Sequence, residues 1–367
     1  MKIAIRTDSS INLGSGHLMR CLTLADLLQA RGGSVSFLSR ELSGNIIHLA
    51  EDKGYRVHRL ASPRKTMEQP GNLAHADWLE VDLQTEVAET EQMLRAGAHP
   101  VDWLVVDHYA LDKKWETQMR PFAARIMVID DIADRQHDCD LLLDQNLYLN
   151  MASRYDGLVP THCNMLLGPA YALLRPEFVE ARKSLRQRDG SVKHILIFFG
   201  GSDPSNETAK ALDALTMLNR PDIAVDVVVG HAYQHKDQIR QRCAARRNTI
   251  FHCQVENMAE LMSRADLSIG AGGTTMWERC VLGLPSIIMS TADNQYATSE
   301  AVAAKGAIVD LKRSQDISVS VLAAEMQIVL DKPSLLREMS RNALALMGNG
   351  AVSKIHPAVQ TLLGSTT

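Results

Sequence analysis

Residues 2–28 read KIAIRTDSSINLGSGHLMRCLTLADLL, and this stretch decides the fold. Lys2 to Thr7 has the pattern of a short buried strand, whereas Leu18, Cys21, Leu22, Leu24, Ala25 and Leu28 recur at the spacing of one helix face. A glycine-rich turn joins them, so the chain opens with a strand–turn–helix unit that places His17 in the first turn of the helix. Gly14 and Gly16 are expected to take backbone conformations that a Cβ forbids, and a helix N-terminus offers N–H groups and partial positive charge to an anion. The same field disfavours an imidazolium, leaving His17 able to accept a proton near neutral pH. The dinucleotide fingerprint is incomplete, because Met19 stands where its third glycine belongs, and no Lys follows the glycines as in a nucleotide-triphosphate loop.

Strand and helix patterns alternate from this unit to the end of the chain. In the first half, Lys2–Thr7, Ser34–Leu38, Val57–Leu60, Trp103–Asp107, Arg125–Asp130 and Leu141–Asp144 read as strands, with helices over 17–31, 44–53, 75–97 and 112–120. A polar stretch, ARKSLRQRDGSVK at 181–193, reads as a helix end and linker. A second series follows, with strands over 194–200, 224–230, 248–254, 266–272 and 285–290 and helices over 205–219, 234–247, 256–264, 274–283, 295–304 and 318–330. Further helices are expected at 333–347 and 351–363. The expected architecture is α/β, with two Rossmann-like domains facing across a cleft. The first spans 1–180, the second 191–348, and a C-terminal helix within 349–367 crosses back.

Composition narrows the function. A 367-residue chain with 46% hydrophobic and 22% charged residues exceeds the usual size of one domain. A net charge of −4 without a long Lys/Arg block argues against a nucleic-acid partner. No apolar run has the length of a membrane span and MKIAIRTDSS turns polar too early for a signal peptide, so a cytoplasmic protein with no membrane partner is expected. The six cysteines lack any C-x-x-C pair and the thirteen histidines lack zinc spacing, which predicts reduced thiols and no metal.

Three strand-end stretches of the second half suit a nucleotide. Gly200-Gly201-Ser202-Asp203 lets backbone amides approach phosphate, with the Ser202 hydroxyl as a further donor and Asp203 as a cap; an ordinary capped turn is the alternative. Gly272 and Gly273 open a second phosphate approach, Thr274 enters the next helix, and Glu278 lies one turn on, where a carboxylate can accept both hydroxyls of a ribose. Asn294 and Gln295 supply side-chain amides within reach of phosphate or sugar hydroxyls. In the first half, Asp107-His108-Tyr109 and Asp130-Asp131 end apolar strands at the same edge as His17, where buried carboxylates often serve structure.

Taken in order, RTDSSINLGSGHLMR (6–20), LVVDHY (104–109), VIDD (128–131), YDGLVP (155–160), GPAYALLRPEF (168–178), GGSD (200–203), GGTTMWE (272–278) and DNQ (293–295) resemble the UDP-sugar hydrolases of pseudaminic acid biosynthesis. The resemblance implies a GT-B fold related to the inverting transferase of lipid II synthesis. It also implies release of UDP from UDP-2,4-diacetamido-2,4,6-trideoxy-β-L-altropyranose by C–O cleavage with inversion. It makes His17 the catalytic base, puts Tyr109 and Asn294 near the sugar and phosphates, and has Glu278 face the ribose. The full set expected to bind substrate is Gly14, Gly16, Arg20, Tyr109, Gly201, Ser202, Gly272, Gly273, Thr274, Glu278, Asn294 and Gln295, with no cofactor. The expected partners are the small-molecule UDP-sugar and neighbouring enzymes of the pathway. Ala271–Thr274 is closer to the transferases, so a GT-B glycosyltransferase stands as the alternative, with a non-catalytic nucleotide-sugar module as a third reading.

Overall fold

A computed structural model of the protein describes residues 1–63, 73–96 and 99–364. The opening unit forms as its pattern dictates: β1 (Lys2–Thr7) runs through the turn into α1 (Gly16–Gln29). There follow β2 (Ser34–Arg40), α2 (His48–Asp52), β3 (Arg56–Leu60), α3 (Leu83–Arg95), β4 (Val101–Asp107), α4 (Lys113–Met119), β5 (Ala123–Ile129), β6 (Leu141–Asp144) and β7 (Asn164–Leu167). These strands make one parallel sheet of seven, in the order β3-β2-β1-β4-β5-β6-β7. Alternation along β1 feeds both faces. Ile3 and Ile5 join Leu18, Cys21, Leu22 and Leu28 of α1 in one core layer, while Ala4 joins Leu104, Val106, Trp115 and Met119 in the other.

The second sheet holds six parallel strands in the order β10-β9-β8-β11-β12-β13. These are β8 (His194–Phe198), β9 (Ala224–Val229), β10 (Thr249–Cys253), β11 (Leu267–Gly270), β12 (Ser286–Ser290) and β13 (Ile308–Arg313). Its helices are α5 (Pro176–Arg182), α6 (Glu207–Leu218), α7 (Lys236–Ala245), α8 (Met258–Arg264), α9 (Thr274–Val281), α10 (Tyr296–Ala304), α11 (Val319–Leu330) and α12 (Pro333–Met347). A last helix, α13 (Pro357–Leu363), buries Ala358, Val359 and Leu362 in the first unit's core beside Leu18 and Leu22.

The two compact units divide the chain at Leu174, with Leu147–Leu149 also in the second and a return to the first at Ser353. Leu174 comes earlier than a boundary at 180, because α5 packs on α8 and α9. The polar stretch after α5 is no free linker. Arg188 is buried and donates to the carbonyls of Met262, Ala265, Leu282 and Gly283, while Arg186 binds Asp266 and three neighbouring carbonyls, so both arginines strap the stretch to the second unit.

Other differences have local causes. The helix expected at 44–53 shortens to α2 because Gly44 turns at φ +72°, where a Cβ would meet Ile11 at 2.6 Å. The helix expected at 75–97 breaks at Glu80 (φ 58°) into a short 3-10 turn, Ala76–Leu79, and α3, which Asp82 caps through the Thr85 amide at 2.8 Å; residue 97 lies outside the described residues, as do the last three of the chain. β7 and β13 were not expected as strands. All six cysteines are free, and among the described residues no helix is long and apolar enough to cross a membrane.

Candidate active site

In the first sheet the strand order reverses between β1 and β4, and the ends of these neighbours pair Thr7 with Asp107. Residues that follow such a switch point meet at the carboxyl edge of the sheet. The turn after β1 holds Gly14 at φ +72° and carries the chain into α1, so His17 is delivered beside Asp107. Gly16 differs from the expectation: it has no positive φ, and a Cβ on it would meet nothing within 4 Å.

His17 Nδ1 lies 2.6 Å from Asp107 Oδ1. A carboxylate can only accept, so Nδ1 carries the proton and the other ring nitrogen, Nε2, is left as the acceptor. One turn on, Arg20 grips the same carboxylate through Nε to Oδ2 and Nη2 to Oδ1, each at 2.6 Å, and Cys21 Sγ adds a contact at 3.3 Å. Burial acts to raise the Asp107 pKa, but Arg20 and then His17 outweigh it and hold the carboxyl well below the ordinary range. Asp107 is therefore a saturated orienting group, charged at neutral pH, rather than a base.

Arg20 extends the network through Nη1 to Asp131 Oδ2 at 2.8 Å, and Asp131 Oδ1 accepts the Tyr109 hydroxyl. Burial, then the charge of Asp131, pushes the Tyr109 phenol well up, so it stays protonated and donates. Its ring meets His17 edge to face, with centroids 4.6 Å apart. Beneath this layer Asp8 takes a fork from Arg6 at 2.5 and 2.8 Å and faces His108 Nε2 at 3.3 Å. His108 Nδ1 accepts the Ala110 amide, and burial lowers its pKa, which makes it a neutral structural imidazole.

The second sheet repeats the switch between β8 and β11, where Phe198 pairs with Gly270. Gly270 must lack a side chain, since a Cβ there would sit 2.2 Å from the Phe198 carbonyl and 2.4 Å from Arg279 Nη2. Arg279 is buried and donates to the carbonyls of Ala271 at 2.7 Å and Phe198 at 3.1 Å, placing a cation directly under the glycine turn. Burial lowers its pKa to about 10, still charged at neutral pH. Gly272 packs against Gln295 and Ser299, and Gly273, at φ +82°, begins α9 without a side-chain cap, with Thr274 as the first helical residue. Gln295 Oε1 accepts the Thr291 amide at 3.1 Å, and Asn294 is exposed on the short 3-10 turn Asp293–Gln295.

The turn at 200–203 behaves differently. Gly201 and Ser202 are exposed, but Asp203 folds back at φ 38° and accepts the amides of Glu207 and Thr208, each at 2.9 Å. Its carboxylate thus caps the N-terminus of α6, as expected of Asp203, and takes up two amides that could otherwise face an anion. The uncapped end of α9 keeps that capacity. Glu278, one turn into α9, pairs with Arg175 Nε at 3.0 Å, and burial raises its pKa.

The structure thus brings His17, Arg20 and Tyr109 together in one unit, and Gly272, Gly273 and Gln295 together in the other. Asp107, Asp131 and Arg279 complete these groups without having been singled out as site residues. Among the described residues no three His, Cys, Asp or Glu side chains group as metal ligands.

Residues 194–355 match the Glycosyltransferase family 28 C-terminal domain. The UDP-2,4-diacetamido-2,4,6-trideoxy-beta-L-altropyranose hydrolase of Campylobacter jejuni is 26% identical over 313 residues, which is 85% of this chain and 100% of that protein. Uncharacterized protein MJ1062 of Methanocaldococcus jannaschii is also 26% identical, over 79% of this chain; the chain spans 55% of that protein. Among solved structures, MurG of Acinetobacter baumannii superposes with a TM-score of 0.64 at 16% identity, covering 98% of this chain and all of the other. The chain is accordingly a two-domain α/β protein of GT-B fold that resembles a UDP-sugar hydrolase over most of its length and carries a family 28 glycosyltransferase C-terminal domain match in its second half.

Proposed function

We propose that the protein hydrolyses a nucleotide sugar, releasing UDP from UDP-2,4-diacetamido-2,4,6-trideoxy-β-L-altropyranose with inversion at the anomeric carbon. The observation that carries the reading is the hydrogen bond between His17 Nδ1 and Asp107, which leaves Nε2 to take a proton from water. Water attacks the anomeric carbon, the C–O bond to UDP breaks, and the bonding pair leaves on the β-phosphate oxygen. The proton held by His17 passes to solvent. A diphosphate is a good leaving group and needs no strong acid. In this reading the α9 amides and the buried Arg279 face its growing charge, and Glu278 faces the ribose. Similarity to the Campylobacter hydrolase supports the choice of substrate.

A second reading, transfer of the sugar to an acceptor hydroxyl, has the family 28 match in its favour. Incubating the purified protein with the UDP-altropyranose sugar and no acceptor separates the two. Hydrolysis releases UDP at a steady rate, and transfer releases none.

A further inference from the structure

Two aromatic side chains packed on Tyr109, the ring next to His17, have no part in the proposed reaction. Trp78 lies in the short turn Ala76–Leu79 and His75 immediately precedes it, and buried Ala76 and Leu79 anchor the turn to the first unit. Their rings lie 4.4 Å apart, and both stand against Tyr109, His75 at 5.4 Å and Trp78 at 5.6 Å with only 30° between the planes. Tyr109 cannot swing away, because Asp131 holds its hydroxyl, and its ring in turn touches His17 edge to face. A fixed run of rings therefore leads from the base outward to Trp78.

Exposure singles out Trp78. The other tryptophans, Trp103, Trp115 and Trp277, are 3%, 0% and 0% exposed and serve the cores, whereas Trp78 and His75 remain half-buried at the edge that carries His17. Leaving an indole partly in water forgoes burial that the other three achieve. A binding surface regains it when a ligand covers the ring.

We infer that Trp78, backed by His75 and Tyr109, is the wall on which the hexose ring of the nucleotide sugar stacks. The inference rests on the hydrolase reading and adds the recognition of the sugar to it. The base acts at the anomeric carbon, so the part of the substrate nearest His17 is the sugar rather than the nucleoside. One face of a pyranose presents C–H groups, and a 6-deoxy sugar adds a methyl where most hexoses carry a hydroxyl. Such a face is apolar and suits an indole, while its rim hydroxyls and acetamido groups stay free to hydrogen-bond.

Indole emission reads the contact without turnover. In a His17→Asn background, titration with the UDP-altropyranose sugar should change the emission of Trp78, and the change should vanish in the same background carrying Trp78→Phe. UDP alone should leave emission unaltered, although calorimetry records its binding. In otherwise wild-type protein, Trp78→Ala should raise KM about ten-fold with kcat within about three-fold, as for a contact present in ground and transition states alike, and Trp78→Phe should restore most of the loss. Emission that responds equally to UDP and UDP-sugar, or stays constant while the sugar nucleotide binds, overturns the wall, as does a Trp78→Ala enzyme with unchanged KM. If the wild-type protein binds the UDP-sugar but never releases UDP, the hydrolase reading falls, and the emission titration still decides the wall. If no UDP-sugar binds, both fall.

Discussion

His17 and Asp107, ninety residues apart in the chain, share a 2.6 Å hydrogen bond at the switch point of the first sheet. With the carboxylate as acceptor the bond favours the proton on Nδ1, and Arg20 holds that carboxylate in its charged form. An Asp–His pair of this kind orients a base and stabilises the imidazolium that forms when it works.

Two substitutions separate the base from its orienting group. His17→Ala should lower kcat by about 10²–10⁴ and leave UDP affinity within a few-fold, the ordinary worth of a general base. Asp107→Asn should cost a comparable factor, since an amide can donate to Nδ1 and place the proton on Nε2 instead. Steady-state kinetics with calorimetry on each variant checks both. Near-normal turnover in Asp107→Asn, with the fold intact by circular dichroism, would show that the bond has no part in the chemistry.

Glu278 should act on binding. Its carboxylate is held by Arg175, and the conservative Glu278→Gln keeps the shape while halving the acceptor capacity. KM should rise about ten-fold with a smaller change in kcat, because the proposed ribose contact would be made in ground and transition states alike. The wild type should also prefer UDP to its 2′,3′-dideoxy analogue. Equal affinities for the two nucleotides would remove Glu278 from the ribose.

Stability should vary with pH in a direction fixed by buried groups. Burial opposes ionisation of Asp8, Asp107 and Asp130, but Arg6, Arg20 and Arg135 respectively outweigh it and hold each well below the ordinary range. Their stabilisation is fully present above the unfolded value of about 4 and is lost as pH falls below it toward the folded values. His137 has the opposite sense: burial lowers its pKa, yet Asp130 and Glu116 raise it to about 9, so its contribution is complete below about pH 6.5 and is lost as pH rises through about 9. Thermal melts from pH 3 to 10 should fall at both ends, and His137→Gln should flatten the alkaline limb. An unchanged alkaline slope in that variant would contradict the assignment.

The sequence exposed some of these relationships and hid others for physical reasons. β1, β6, α12 and the strand–turn–helix around His17 were legible because a fully buried strand or a regular helix writes its period into neighbouring residues. β13, with Asp310, Lys312 and Arg313 among its six residues, is half-exposed and lacks that signature. Asp107 could be seen to end a strand, but its pairing with His17 depends on β4 lying beside β1, a sheet order that no local pattern carries. Arg279 reads as an ordinary charge on a helix. Its burial follows from Gly270, whose missing side chain makes room for the guanidinium. Asp203 was legible as a cap, but the consequence, a helix end already occupied by a carboxylate, needed the positive φ that turns it inward.

The central claim is that water, activated by His17, attacks carbon and not phosphorus. Reaction in ¹⁸O-labelled water tests it most directly, with mass spectrometry of both products and early NMR spectra of the sugar before mutarotation blurs the anomer. The account predicts label on the anomeric hydroxyl of the free sugar, none in UDP, and the inverted anomer first. Label in UDP would mean attack at phosphorus and would contradict the placing of His17 as the base behind the anomeric carbon.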